Sequence, residues 1–515
     1  MTTTRPGRAR RLTLIKNAAA NLARGGVAAL VALLLPPFLV RAMPVERYAV
    51  WMLILQLSAY VAYLDFGIQT AVGRFVADAG ARQDAAGRDR VVTTSLTLLA
   101  GAGALGLILI ALLAWQMPHL FRALPPPLHS QARLALLLIG GSLAVGLPAS
   151  AFTGVFVGQQ RFELPAVIIA GGKMLGAFLL IAVVRQGGSL TSMATVIAAA
   201  NVMTSLLLYG ACRRFAAGIR IAPELASRRA AREIADYCIG LSVWQLGMLL
   251  VTGLDTTLVG IFQFPAVAYY SVAATLVMFI AGMQNMLFSV LMPEAAVMNA
   301  RGDAKPLGEM LLTATRYGMF ILLLTGVPLI LAAKPILALW VGASYAAQAT
   351  LLLQTLVVAN VVRLAATPYA VLLVGTGQQR LVTISPLAEG FTNLLASVIG
   401  GALLGATGVA LGTLIGAVVG LGCHILYNLP RTTAITIRTW DFVRDGLLRP
   451  LACAVPCAAL VAACALLPAG GGASPAAGAA CGLATLAVFW RWGLVPAERR
   501  RGAALLRPRR QALRD

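Results

Sequence analysis

The sequence predicts an all-α, polytopic membrane protein of about fourteen transmembrane helices, arranged as two pseudo-two-fold related six-helix bundles with two further C-terminal helices. Three observations carry that prediction. Hydrophobic residues make up 59% of the 515 and charged residues only 11%, against roughly 45 to 50% and about 25% in an average soluble domain. Apolar runs of about 20 residues, the length a span requires, recur along the whole chain. The tetrapeptide Gly-Gln-Gln-Arg occurs twice, at Gly158 to Arg161 and at Gly377 to Arg380.

The chain opens on MTTTRPGRARRLTLIK, which has the charge of a signal-peptide n-region. The run that follows is span-length and no small-residue cleavage site comes before the next span, so it reads as a retained first helix. Spans are expected at about 17–40, 46–69, 91–115, 133–157, 164–184, 191–211, 239–262, 267–291, 310–333, 348–374, 381–403, 408–429, 450–469 and 477–494. Lipid offers no partner to a backbone amide, so each must be a helix. The alternation of a β-barrel is absent.

Lys and Arg orient these spans. With a cytoplasmic N-terminus, the inner connections hold about 30 of the 41 basic residues and the outer loops 6, as the positive-inside rule requires. Both termini are then expected on the cytoplasmic side of the membrane. The net charge of +23 is accounted for by these short connections, and nucleic acid is not expected as a partner. The longest inner connection, from Arg213, is basic and amphipathic and divides the chain. The expected organisation is a first bundle over 1–212, a cytoplasmic linker over 213–238, a second bundle over 239–430, and a C-terminal pair with a basic tail over 431–515.

The repeat sits in equivalent places. Each Gly-Gln-Gln-Arg falls on the inner side, between spans four and five and between spans ten and eleven. Leu175 and Leu394, and Ala177 and Ala396, then follow at one common offset of 219. Pro44 to Tyr48 before span two echoes Pro265 to Tyr269 before span eight. An even number of spans per copy gives both copies the same orientation, with a pseudo-two-fold axis along the membrane normal.

Ionisable residues inside spans cost roughly 2.5 to 3.5 kcal/mol each on insertion scales, so they point to a cavity or a partner. Arg24, Lys173, Arg316 and Arg363 are the cations of this kind. Lys173 and Arg363 are too deep to snorkel and are expected to line a cavity; Arg24 and Arg316 stand nearer the inner surface. The carboxylates are Asp65, Asp255 and Glu389, candidates for ion pairs or for coupling to a proton or sodium gradient. Lys173 and Glu389 lie at near-equivalent positions of the two copies and are candidates to pair across them.

Other signals read as packing. The seven cysteines show no metal-ligand spacing, and His119, His129 and His424 are scattered. GAGALG at Gly101 to Gly106 matches a dinucleotide fingerprint in letters only, since no strand precedes it. Gly408, Gly412, Gly416 and Gly420 form a stripe for close helix approach. No cofactor, metal site or catalytic residue is expected.

With LDFGIQTAVGRFVADAG, LALWVGASYAAQA and VLLVGTGQQR in hand, the chain resembles the polysaccharide flippases of the multidrug/oligosaccharidyl-lipid/polysaccharide exporter superfamily. That resemblance implies alternating access around a central cavity. It also implies export of an undecaprenyl-pyrophosphate-linked oligosaccharide for O-antigen, capsule or exopolysaccharide, alongside membrane lipids, a polymerase and chain-length proteins as partners. Arg24, Lys173, Arg316 and Arg363 would then hold the diphosphate, Lys as a point charge and Arg as a fork. Arg24 also matches in position a span-one arginine of the related peptidoglycan-precursor flippases. The rival readings are a cation-coupled drug exporter using Glu389, Asp255 and Asp65, and a membrane glycosyltransferase or polymerase.

Overall fold

The computed structural model describes residues 25–466 apart from 28, 217, 290, 303 and 379–383, and then 483, 486–494 and 499. Among these residues the fold is helical, and eleven helical runs are long and apolar enough to cross a membrane. The chain is therefore a multi-pass membrane protein. The last run, Ile384–Arg431, holds two of the expected spans, because Gly405 at φ +60° turns the chain back inside it. Of the expected C-terminal pair, the first is present as Arg449–Leu466, and most of the second lies outside the described residues.

The first half begins with α1 (Gly25–Ala42), then α2 (Val45–Ala59) and α3 (Ile68–Ala81). Between α2 and α3 a 3₁₀ turn ends on two left-handed residues, Phe66 and Gly67, so span two is broken. Leu241 packs directly against Gly67, leaving no room for a Cβ. Next comes α4 (Ala85–Leu120), capped by Asp84 through the Gly87 amide, 2.8 Å away. Span four is also broken, at Leu147 and Pro148, into α5 (His129–Gly146) and α6 (Ala149–Gly158). The half closes with α7 (Glu163–Arg185) and α8 (Leu190–Phe215).

The second half opens with α9 (Arg228–Met248), a π turn at Leu249–Gly253, and α10 (Asp255–Phe262). It continues through α11 (Ala266–Ser289), α12 (Leu291–Ala300), α13 (Ala304–Leu331) and α14 (Ala333–Val341). Then follow α15 (Ala343–Leu364), α16 (Thr367–Gly375), α17 (Ile384–Cys423) and, past a loop, α18 (Arg449–Leu466). Span ten breaks before α16 as span four breaks before α6.

These corners correct the register of the repeat. Gly158 ends α6 and Gly375 ends α16, and the left-handed residue two positions on is Gln160 in one copy and Gly377 in the other. A Cβ on Gly158 would meet the Gly73 carbonyl and Val76 of α3; one on Gly375 would meet the Met292 carbonyl and Ala295 of α12. The structural partner of Val157-Gly158 is thus Val374-Gly375, and the two Gly-Gln-Gln-Arg segments are shifted by two residues relative to the corner. The helix-ending glycine, jammed against the neighbouring span, is the constrained feature.

The glycine stripe on the returning arm of α17 does pack as expected. Gly408 lies on Gly400, Gly412 on Ser397, Gly416 on Asn393 and Gly420 on Glu389. The GAGALG segment is plain helix: Gly103 approaches the Ala144 carbonyl of α5, and Gly101 faces open space.

Candidate functional site: cavities between the two halves

Two cavities meet in the middle of the molecule. The first, about 690 Å³, is walled by α1, α2, α5, α7 and α8, with Thr275 of α11 reaching in from the second half. The second, about 700 Å³, lies between α1 and α11 and reaches Gly25 and Gly26 at the start of α1. Ala32, Met52 and Thr275 line both.

One face of the first cavity is polar. Asn201, Thr204 and Ser205 stand at helical spacing on α8, and Asn201 Nδ2 donates to Ser142 Oγ of α5 at 3.0 Å. Ser150 lines it where span four breaks, and Lys173 reaches its wall from the middle of α7. Among the described residues lining the two cavities, Lys173 alone carries a charge. An amide, hydroxyls and one ammonium opposite apolar walls make a surface able to hydrogen-bond a sugar and attract an anion.

The cavities are sealed at the end where α1 meets α2. Arg41 Nη2 reaches the carbonyls of Leu339 and Trp340, both at 3.4 Å, and Trp340 Nε1 donates to the Leu33 carbonyl at 3.0 Å. Tyr48 and Tyr269, the tyrosines of the second sequence echo, both meet Tyr345 edge-on, at centroid distances of 6.3 and 5.1 Å. Edge-to-face rings of this kind add attraction beyond their burial. Midway down, Gln56 Nε2 and Tyr60 Oη donate to the Gly253 carbonyl at 2.7 and 2.9 Å, holding α2 to the π turn of span seven. At the opposite end α9 packs on α3, with Arg74 over the Tyr237 ring at 4.7 Å. Between α1 and α11, toward that end, Leu30, Met278 and Met283 are all more than half exposed among the described residues.

The expected charged residues do not come together as one cluster. Lys173 lines the first cavity. Arg363 does not line either: its Nε lies 2.5 Å from Glu389 Oε1, in a pair whose side chains are 18% and 10% exposed. The reading of Arg363 as cavity-lining is thereby corrected, as is the pairing of Glu389 with Lys173. Span eleven folds back along span ten, so its carboxylate faces the cation on the neighbouring helix. Arg316 is buried and donates from Nε to the Asp445 carbonyl at 3.2 Å, beneath the π turn before α18, away from both cavities. Arg24 lies outside the described residues.

The carboxylates are held inside the halves. Asp65 accepts from Ser150 Oγ at 2.8 Å and from the Gln69 amide at 3.3 Å, fastening the break in span two to the break in span four. Asp255 is buried and accepts from Tyr270 Oη, Asn393 Nδ2 and Thr413 Oγ1 at 3.1 to 3.3 Å. Asn393 also donates to the Leu250 and Val251 carbonyls, which the π turn frees, and Ser397 donates to Asn393 Oδ1 and to the Val409 carbonyl. No group of three or more metal-ligating side chains occurs among the described residues. Sequence reasoning passed over Asn201, Thr204 and Ser205, although polar residues at i, i+3 and i+4 within one span were visible.

The sequence model of the family described as polysaccharide biosynthesis protein matches residues 14–297. No curated protein matches the chain. Among solved structures, the fold is similar to the lipid II flippase MurJ in an inward closed conformation, with a TM-score of 0.70 and 13% identity over 93% of this chain and 99% of that one. It is also similar to a multidrug resistance MATE family transporter of the MOP superfamily in an inward-facing conformation, with a TM-score of 0.62 and 19% identity over 81% of this chain and 94% of that one. A MOP superfamily transporter from Pyrococcus furiosus has a TM-score of 0.58 and 18% identity over 81% and 95%. At these identities the likenesses establish the fold of that superfamily and no more.

Proposed function

The chain belongs to the polysaccharide biosynthesis protein family, and on that premise we propose that it flips an undecaprenyl-pyrophosphate-linked oligosaccharide across the bacterial inner membrane, for O-antigen, capsule or exopolysaccharide synthesis. The observation that carries the proposal is the first cavity, with its ledge of Ser142, Asn201, Thr204 and Ser205 and the ammonium of Lys173 on its wall. A glycan crossing lipid must exchange its water for protein donors and acceptors, and the ledge supplies them. The diphosphate needs a cation where water is scarce, which Lys173 supplies. The polyprenyl tail stays in lipid, along the gap between α1 and α11.

In this scheme both termini are cytoplasmic, the end away from the tyrosine seal loads the substrate, and the sealed end opens to the periplasm by alternating access. The flipped unit then passes to a polymerase and its chain-length proteins. The activity is translocation, with no catalytic residue assigned. Coupling to a proton or sodium gradient suits Asp255 better than Glu389. Asp255 is held by neutral hydroxyl and amide groups, whereas the Glu389 charge is already matched by Arg363.

The test is deletion of the gene in its host. Loss of surface polymer with lipid-linked units accumulating inside, restored by wild type but not by Lys173→Ala, supports the flippase. Unchanged glycan with new sensitivity to cationic drugs would overturn it in favour of a drug exporter.

A further inference from the structure

A third cleft lies apart from the central cavities. It measures about 430 Å³ and is formed where α8 ends, by Cys212, Arg213, Ala216 and the chain from Gly218 to Ala222, so that Arg213 and Arg220 both line it. Among the described residues that line it there is no carboxylate. Its walls are fixed by neighbouring helices: Arg161 Nη1 donates to the Phe215 carbonyl at 2.8 Å, and Arg88, itself paired with Asp89, donates to the Gly218 carbonyl. Two arginines thus hold the turn from outside, and two others line the hollow that the turn creates.

A second feature leads into it. Val202, Leu206, Tyr209 and Arg213 recur at intervals of four, three and four residues along α8, the spacing of one helix face. The three before Arg213 are 38%, 63% and 45% exposed. An apolar stripe open to lipid therefore ends at a basic cleft where the transmembrane helix leaves the membrane. That is the outline of a phospholipid, with acyl chain below and phosphate above.

We propose that this cleft is a binding site for the phosphate of an anionic glycerophospholipid, with Arg213 and Arg220 on the phosphate and its acyl chain along Val202, Leu206 and Tyr209. The site is separate from the transport cavity and does not depend on the flippase reading. It would brace the segment that joins the two halves, because the turn it occupies leads directly into α9.

The experiment is native mass spectrometry of the full-length protein, titrated in detergent with phosphatidylglycerol, with phosphatidylcholine, and with inorganic phosphate alone. Phosphatidylglycerol adducts should be retained preferentially. Arg213→Gln with Arg220→Gln should weaken them by more than tenfold, at roughly fivefold per arginine. The control is Arg214→Gln with Arg228→Gln, which removes the same charge from exposed positions outside the cleft and should change retention far less. Equal weakening in both double variants, or none in either, would overturn the site. Equal retention of phosphatidylcholine, or of inorganic phosphate without lipid, would overturn the assignment of its ligand.

Discussion

Arg363 and Glu389 occupy adjacent spans and are largely buried, and each would lose its ion-pair partner without the other. With side chains 18% and 10% exposed and 2.5 Å between Nε and Oε1, the pair belongs to the class in which removing one partner strands the other. Arg363→Ala should cost roughly 3 to 5 kcal/mol of stability and lower the melting temperature in detergent. Replacing both, as Arg363→Met with Glu389→Met, should recover most of that loss. An unchanged melt in the single variant would show that the pair does not hold the bundle. Both charges were legible in the sequence, but their pairing was not, because 26 residues and a corner of chain separate them and the spacing alone fitted a cavity role equally well. Lys173 shows the converse. Its depth in α7 pointed to the cavity wall, and it lines the first cavity, while Gly172 and Gly176 beside it let α7 pack closely on Thr204 and Ala200 of α8.

At the scale of elements, small residues decide where helices touch. Gly158 and Gly375 each end a short helix with their Cα against a backbone carbonyl of the adjacent span, and an added Cβ would sit 2.7 Å from that oxygen in both copies. A carbonyl in a helix cannot swing away as a side chain can. Gly158→Ala and Gly375→Ala should therefore each destabilise by about 1 to 3 kcal/mol through overpacking. Gly101→Ala, with nothing within 4 Å, should be neutral or stabilising by up to about 1 kcal/mol, since a helical glycine gives up more backbone entropy than alanine. Chemical denaturation of the three variants in one detergent checks the contrast; equal effects at all three positions would sink the packing argument. The helices themselves were readable from apolar length; Pro148 and Pro368 stand at the breaks in spans four and ten, while Pro328 and Pro456 lie inside continuous helices. The register at the corner was misread because a four-letter identity outweighed the shorter Val-Gly pair, whose constraint appears only once the neighbouring span is in place.

Over the whole molecule, the sequence pointed to a chain of membrane-spanning helices, and eleven such runs stand among the described residues, yet it could not tell which end is closed. Closure rests on pairs some 300 residues apart: Arg41 with Leu339 and Trp340, separated by 298 and 299 positions, and Trp340 with Leu33, separated by 307. No local pattern encodes such a meeting. The echo of Tyr48 in Tyr269 was legible as a repeat, but not as two sides of a clasp on Tyr345. If transport works by alternating access, this seal must part once in each cycle, and nothing else about the fold requires it to. Ala42 and Leu339 are both exposed beside the seal. Cysteines placed there in a background without the native ones should cross-link in the resting protein. The cross-linked form should leave lipid-linked glycan unflipped, and reduction should restore transport to the level of the uncross-linked control. Transport that continued with the link intact would mean that the substrate passes without opening this end. The gap between α1 and α11 would then have to serve as the path in both directions.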